Sequence, residues 1–190
     1  MRSFRVLLVL CLLLVGSVGA ADTASPYAGQ ERRAIKALSP TEIEDLLAGR
    51  GMGLAKAAEL NGYPGPAHVL ELADRLQLTP EQRTATQALF ERMNQDARRL
   101  GAAIVAAEHD LERDFAERRL GERELQARLD TLGALQAELR FMHLRAHLAQ
   151  AAVLTPEQIA RYDALRGYNR TDAPARHGKP GSHGAHGSPR

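Results

Sequence analysis

The chain has 190 residues, with 25 basic and 23 acidic side chains, four Tyr, four Phe and no Trp. A formal charge of +2 is too weak a field to hold a phosphate backbone, and so few aromatics build no base-stacking platform, which argues against nucleic acid as a partner. The one cysteine, Cys11, sits in an N-terminal apolar run, so no disulfide is expected to staple the remainder.

That run is Val6 to Val15, preceded by Arg2 and Arg5 and closed by Val18-Gly19-Ala20. A positive start, an apolar middle and a small-residue exit are the pattern of a secretory signal peptide, here residues 1–20 with cleavage near Ala20–Ala21. The apolar stretch falls short of the roughly 20 residues of a spanning helix, so no stable membrane anchor is expected after cleavage. Loss of Arg2 and Arg5 leaves 23 basic residues against 23 acidic ones. Residues 21–37 are polar and expected to be mobile.

Ser39-Pro40-Thr41-Glu42 reads as a helix start, with Ser39 as N-cap and Glu42 reaching back; Ile43, Leu46 and Leu47 form its apolar face and Gly49 ends it. The glycines of Gly49-Arg50-Gly51-Met52-Gly53 follow a helix rather than a strand and lack the Lys-Ser/Thr of a phosphate loop, so nucleotide binding is not expected. A second short helix is expected over Leu54–Leu60, then a turn at Tyr63-Pro64-Gly65-Pro66, then a third helix carrying Val69, Leu70, Leu72, Ala73 and Leu76. Nothing alternates with a period of two, which makes the fold class all-α.

Leu78-Thr79-Pro80-Glu81-Gln82 and Leu154-Thr155-Pro156-Glu157-Gln158 are two copies of one complete helix start. The Thr hydroxyl accepts from an amide one turn on, the Gln reaches back, and Pro sits where its missing N–H costs nothing. Between the copies, Leu89, Met93, Ala97, Leu100, Ile104, Leu111 and Phe115 form one apolar stripe, and Leu125, Leu129, Leu132, Leu135, Leu139 and Met142 a second, with Gly121 breaking the pattern between them. Two long helices joined this tightly pack antiparallel. The short helices and a last one, Pro156 to Leu165, cover part of these stripes, and a second subunit is expected to cover the rest. Glu108 falls on the first stripe and needs a partner if buried. Gly101 and Gly133 permit either a close helix approach or a bend. Residues 169–190, with His177, His183 and His186 among Gly and Pro, form a segment too poor in apolar residues for a core and are expected to be disordered.

His143 and His147 stand four apart on a helix, so both imidazoles leave one face and can grip one ion. Leu144 follows the first of them where a zinc protease needs Glu, so hydrolysis is not expected. An antiparallel hairpin brings Met93, Asn94 and Asp96 opposite the pair as further ligands, with His68 and Glu71 more remote. As structural residues instead, His143 would pack with a hydrogen bond and His147 would be solvated. Phe141, Met142, Leu144 and Leu148 surround the pair and make this helix end apolar almost all round, a surface for a client chain or a dimer core. No nucleophile set or cofactor fingerprint is present, so the chain reads as a non-enzyme with no required cofactor.

The boxes Leu78, Thr79, Gln82 and Leu154, Thr155, Gln158, bracketing a long hairpin over roughly Val69 to Tyr168, make the chain resemble the Spy/CpxP family, whose relatives include ZraP-type and CnrX-type metal-responsive proteins. The resemblance implies a cradle-like periplasmic homodimer over residues 38–168. It further implies either ATP-independent binding of unfolded proteins or the modulation of an envelope stress response through a membrane-bound sensor. The alternative it carries is a heavy-metal sensor or resistance protein using His143 and His147 to bind Zn, Ni, Co or Cu. The smallest members lack the Ser39 to Tyr63 segment, and the basic cradle of the chaperones is not evident here.

Overall fold

The computed structural model describes residues 25–168; the signal-like run and the histidines of the tail lie outside the described residues. Six helices and no strand are found among the described residues: α1 (Pro40–Ala48), α2 (Lys56–Glu59), α3 (Pro66–Glu71), α4 (Pro80–Ala116), α5 (Glu122–Val153) and α6 (Pro156–Leu165). The all-α class and the long antiparallel hairpin are as expected. With 37 and 32 residues, α4 and α5 run about 55 and 48 Å at 1.5 Å per residue.

All three capping boxes form. Ser39, Thr79 and Thr155 hydroxyls each accept from the amide three residues on at 3.2 Å, while Glu42, Gln82 and Gln158 side chains accept from the cap amides at 2.8, 3.1 and 2.9 Å. Amides at the helix starts hold the Glu42, Glu81 and Glu157 carboxyls below the usual carboxylate range, with the Ser39, Thr79 and Thr155 hydroxyls helping.

α1 and α3 pack on α4, and α2 and α3 reach α5, so the short helices form a layer on one side of the hairpin. The hairpin core joins Leu46 of α1 to Ala97, Leu100 and Ile104 of α4 and Leu139 and Met142 of α5. A second core gathers Val69, Ala73, Leu76 and Tyr162 around Leu78 and Leu154, the residues that precede the two caps. Each Leu therefore staples its helix start into apolar surroundings, a burial worth about 1.5–3 kcal/mol.

Several expectations are corrected. The second helix keeps only Lys56–Glu59, and the third ends at Glu71 in a run of turns, with Gln77 left-handed at φ 53°; Ala73 and Leu76 are buried without being helical. Before α1, Ile35 is buried and Lys36 pairs with Glu112 of α4, so the chain is tied down ahead of Ser39. Phe115 and Leu129 belong to neither stripe in space, being 56% and 47% exposed. Their places between the arms go to charge: Asp114 is buried and accepts from Arg119 at 3.2 Å and from Arg128 at 2.7 Å. A carboxylate held by two guanidiniums closes the hairpin tip, where an apolar pair would be frayed by solvent. Glu108 is half-buried, and desolvation pushes its carboxyl above the usual range.

Candidate functional site

The two boxes meet. Gln82 Nε2 donates to Gln158 Oε1 at 2.8 Å and Gln158 Nε2 donates to Gln82 Oε1 at 2.9 Å. Each amide has a second donor left, and these go across the junction, from Gln82 to the Val153 carbonyl at 2.9 Å and from Gln158 to the Leu76 carbonyl at 3.3 Å. Each oxygen also accepts from its own cap amide, so all four hydrogen-bonding positions of both side chains are filled. The motif is thus a reciprocal clasp that fixes where α4 begins against where α5 ends.

One turn further in, a second buried polar pair crosses the hairpin: Gln150 Nε2 donates to Thr86 Oγ1 at 3.1 Å, with both residues inaccessible to solvent. Gln150 Oε1 has no hydrogen-bond partner.

His143 and His147 lie beyond this clasp, where α2 and α3 cover α5. They share one cavity, of about 680 Å³, with Met93, Asn94, His68 and Glu71. His147 Nδ1 lies 2.7 Å from the Tyr63 carbonyl. A carbonyl only accepts, so Nδ1 carries a proton, an arrangement that in the neutral tautomer leaves the lone pair on Nε2. Gly65 lets the ring sit there, since a Cβ at that position would meet Cε1 and Nε2 at 2.8 Å. His143 is 2% exposed and its Nε2 has no partner. The structural expectation holds for the packing of His143 but not for its Nε2, which has no partner, and it fails for His147, which is buried and anchored rather than solvated.

Glu59 organises the floor. It accepts from the Tyr162 hydroxyl at 2.5 Å, from the Tyr168 hydroxyl at 3.1 Å and from the Gly65 amide at 3.2 Å, and lies 3.6 Å from Arg166 and 3.7 Å from His147. Burial, reinforced by this carboxylate, pushes the Tyr162 hydroxyl far above its ordinary value. Nothing in the spacing of the sequence links Glu59, Tyr63 and Gly65 to the histidines; the only signal was a glycine between two prolines, which marks a rigid turn without saying what it packs against.

Of the other expected ligands, His68 and Glu71 prove closer than their separation in sequence implied, and pair with each other at 2.9 Å. Asn94 donates instead to the Ala48 carbonyl at 3.1 Å. Asp96 does not face the histidines: it lines a separate groove of about 430 Å³ on another side of the hairpin, with Leu89, Arg92, Met142 and Arg145. Met93 borders both spaces. Among the described residues no group of three His, Cys, Asp or Glu is placed to hold a metal ion.

Burial, with a smaller contribution from His147, holds His143 below the usual imidazole range. A buried neutral imidazole makes the folded chain bind fewer protons than the unfolded one. Its contribution to stability is present above the unfolded value of about 6.5 and is lost as pH falls from there through the lower folded value. Denaturant midpoints measured down this window should therefore fall, and the His143→Leu variant should show a shallower fall than the parent.

The Leu-Thr-x-x-Gln spacing, doubled and clasped through its glutamines, is the feature that a family model recognises: the model described as LTXXQ motif family protein matches residues 67–166. The chain belongs to this Spy/CpxP-like LTXXQ family. Comparison with curated proteins and with solved structures returns no match. The matched LTXXQ region takes in α3 through α6 but not α1, whose Leu46 nevertheless completes the hairpin core. LTXXQ proteins are typically periplasmic, and no helix among the described residues is long and apolar enough to cross a membrane.

Of the four residues expected to hold a client, Met142 is corrected: it is buried against α4 in the hairpin core. Leu144 is partly buried, whereas Phe141 and Leu148 are 57% and 58% exposed. They point away from Leu139 and Ala146, so α5 is apolar on two faces.

Proposed function

We propose that this protein is a non-enzymatic periplasmic stress protein that binds unfolded chains without ATP. The observation supporting it is the apolar surface of the hairpin: Phe115 and Leu129 near the tip and Phe141 and Leu148 on α5 are all close to half exposed or more. Large apolar side chains exposed along two long helices suit clients without fixed shape. Mixing a chemically denatured client with a several-fold excess of this protein should suppress the light scattering of aggregation. Unchanged scattering removes the reading.

A metal-responsive role is the second reading, supported by the His143–His147 pair. One ring has its Nδ1 fixed by a carbonyl, the arrangement that presents the other nitrogen of a metal-ligating histidine. The other is buried with Nε2 unsatisfied, and Met93 and His68 border the same cavity. Two imidazoles with a thioether suit Zn, Ni, Co or Cu, and a membrane-bound sensor would read the occupancy. Calorimetric titration of a chain with His177, His183 and His186 changed to Ala should show micromolar or tighter binding that His143→Ala and His147→Ala abolish. Indifference to all four metals removes it.

A further inference from the structure

The cavity that holds the histidines is walled from two sources. Phe90, Met93 and His143 belong to the hairpin, whereas Met52, Ala55 and Lys56 come from the segment 48–59, which precedes the matched LTXXQ region. That segment is a glycine-rich turn followed by α2. Gly49, Met52 and Gly53 are left-handed there, at φ 68°, 44° and 75°, a conformation that disfavours any side chain. Met52 nevertheless stands between two glycines, borders the cavity and is 42% exposed, which sets an adaptable thioether at the mouth. At about 680 Å³, with Met, Phe and Ala side chains around a few polar ones, the space has the size and make-up of a small-molecule site.

Two polar groups bordering it are unmatched. Arg50 is held by Glu44 at 2.7 Å and by Asp45, Arg166 lies 3.6 Å from Glu59, and Glu71 pairs with His68. The Lys56 ammonium, by contrast, has no hydrogen bond or ion pair among the described residues. Deeper in, His143 is 2% exposed and its Nε2 has no partner, a costly state for a buried polar atom. We infer that the cavity takes a small aromatic acid carrying a ring hydroxyl, its carboxylate on Lys56, its ring among Met52, Phe90 and Met93, and its hydroxyl on His143 Nε2. Each part of the ligand answers one feature of the site. A carboxylate is the counter-charge of a lone ammonium, and an aromatic ring makes favourable contacts with thioethers. A hydroxyl both donates and accepts, so it satisfies Nε2 in either imidazole tautomer, which a carbonyl or an N–H alone does not. Unbranched Met93 borders the same space and can change rotamer to admit it.

Glu59 opposes an anion less than its charge suggests, because the Tyr162 and Tyr168 hydroxyls, the Gly65 amide and Arg166 already neutralise it. The site stands apart from both functional readings, since it needs neither the exposed apolar side chains of the hairpin nor a metal ion.

Calorimetric titration of the full chain with para-hydroxyphenylpropanoate, in the presence of a metal chelator, tests it. Two matched probes accompany it: phenylpropanoate, which lacks the hydroxyl, and para-hydroxyphenylpropanol, which lacks the charge. The hydroxy acid should bind with a Kd below about 1 mM, and each matched probe about fivefold or more weakly. Lys56→Gln should bring the hydroxy acid down to the level of the alcohol while leaving the alcohol within about twofold. His143→Leu should bring it down to the level of phenylpropanoate while leaving phenylpropanoate within about twofold. Lys56 is exposed, so its variant keeps the fold; if the buried His143→Leu variant does not fold, the hydroxyl-free probe on the parent makes the same comparison. No binding of the hydroxy acid at millimolar concentration, equal binding of all three probes by the parent, or a Lys56→Gln variant that still prefers the acid to the alcohol overturns the site. A folded His143→Leu variant that still prefers the hydroxylated ring overturns it as well.

Discussion

Gly101→Ala is expected to destabilise the protein by about 3 kcal/mol or more, reversing the gain of about 1 kcal/mol that this change gives in an exposed helix interior. The sign turns on one contact. A Cβ on Gly101 would lie 2.0 Å from the Leu46 carbonyl oxygen and 2.6 Å from its carbon. Both are backbone atoms of α1, held between the Ser39 cap and the Gly49 turn, so no side chain can swing aside. Either α1 lifts, taking Leu46 out of the core it shares with Leu100, Ile104 and Leu139, or α4 bends locally. Both outcomes forfeit buried apolar contact on top of the strain. Gly133→Ala is the matched control on α5: nothing lies within 4 Å of its Cβ position, so that variant should be unchanged or more stable by up to about 1 kcal/mol. Denaturant unfolding of the two variants and the parent measures the difference directly. Equal stability of Gly101→Ala and the parent would show that α1 does not sit this close to α4.

The contrast between these two glycines shows what was legible in the sequence. Both stand inside long amphipathic helices, and nothing in either neighbourhood says which one another backbone will approach. Local signals read well: each Ser/Thr-Pro-x-Glu/Gln start became a capping box because its donors and acceptors lie within one turn of each other. The arms, their antiparallel pairing and the break at Gly121 followed from the spacing of leucines for the same reason. Periodicity misled where charge displaced it. Phe115 keeps the step of the α4 stripe, yet Asp114 takes the interhelix position because Arg119 from the turn and Arg128 from α5 beyond it neutralise it. The histidine pair was found from its four-residue spacing, but its surroundings were not. Tyr63, Gly65 and Glu59 reach it through a segment of turns without a repeat, and Asp96, one turn from Met93 on the same helix, faces a different groove. Contacts made over more than eighty residues of chain by a turn have no local pattern to betray them.

The glutamine clasp should behave as one unit. Gln82→Ala removes two bonds to Gln158, one to the Val153 carbonyl and one to the Thr79 amide, and it leaves the part-buried Gln158 amide half satisfied. At about 1 kcal/mol for each net bond, plus the cost of stranded polar groups, a loss of about 2–4 kcal/mol is expected. Gln158→Ala should cost a similar amount, because the arrangement is reciprocal and its other bonds go to the Leu76 carbonyl and the Thr155 amide. The double variant should then lose less than the two single losses together, since each single change already breaks the shared pair and strands the survivor, whereas the double strands neither glutamine. A shortfall of about 1–2 kcal/mol in the unfolding cycle is the expected signature. Strict additivity would mean that the two caps act independently, each merely starting its own helix. Gln82→Glu separates capping from clasping still more sharply. A carboxylate can accept from the Thr79 amide as well as the amide oxygen does, so the α4 cap survives. It cannot donate, so it sets a negative oxygen against the Val153 carbonyl and against Gln158 Oε1, which keeps only the Thr155 amide as donor. A generic helix start would tolerate that change and even gain from the helix dipole. Here it should cost at least as much as Gln82→Ala, because the second half of the motif works on the neighbouring box rather than on its own helix.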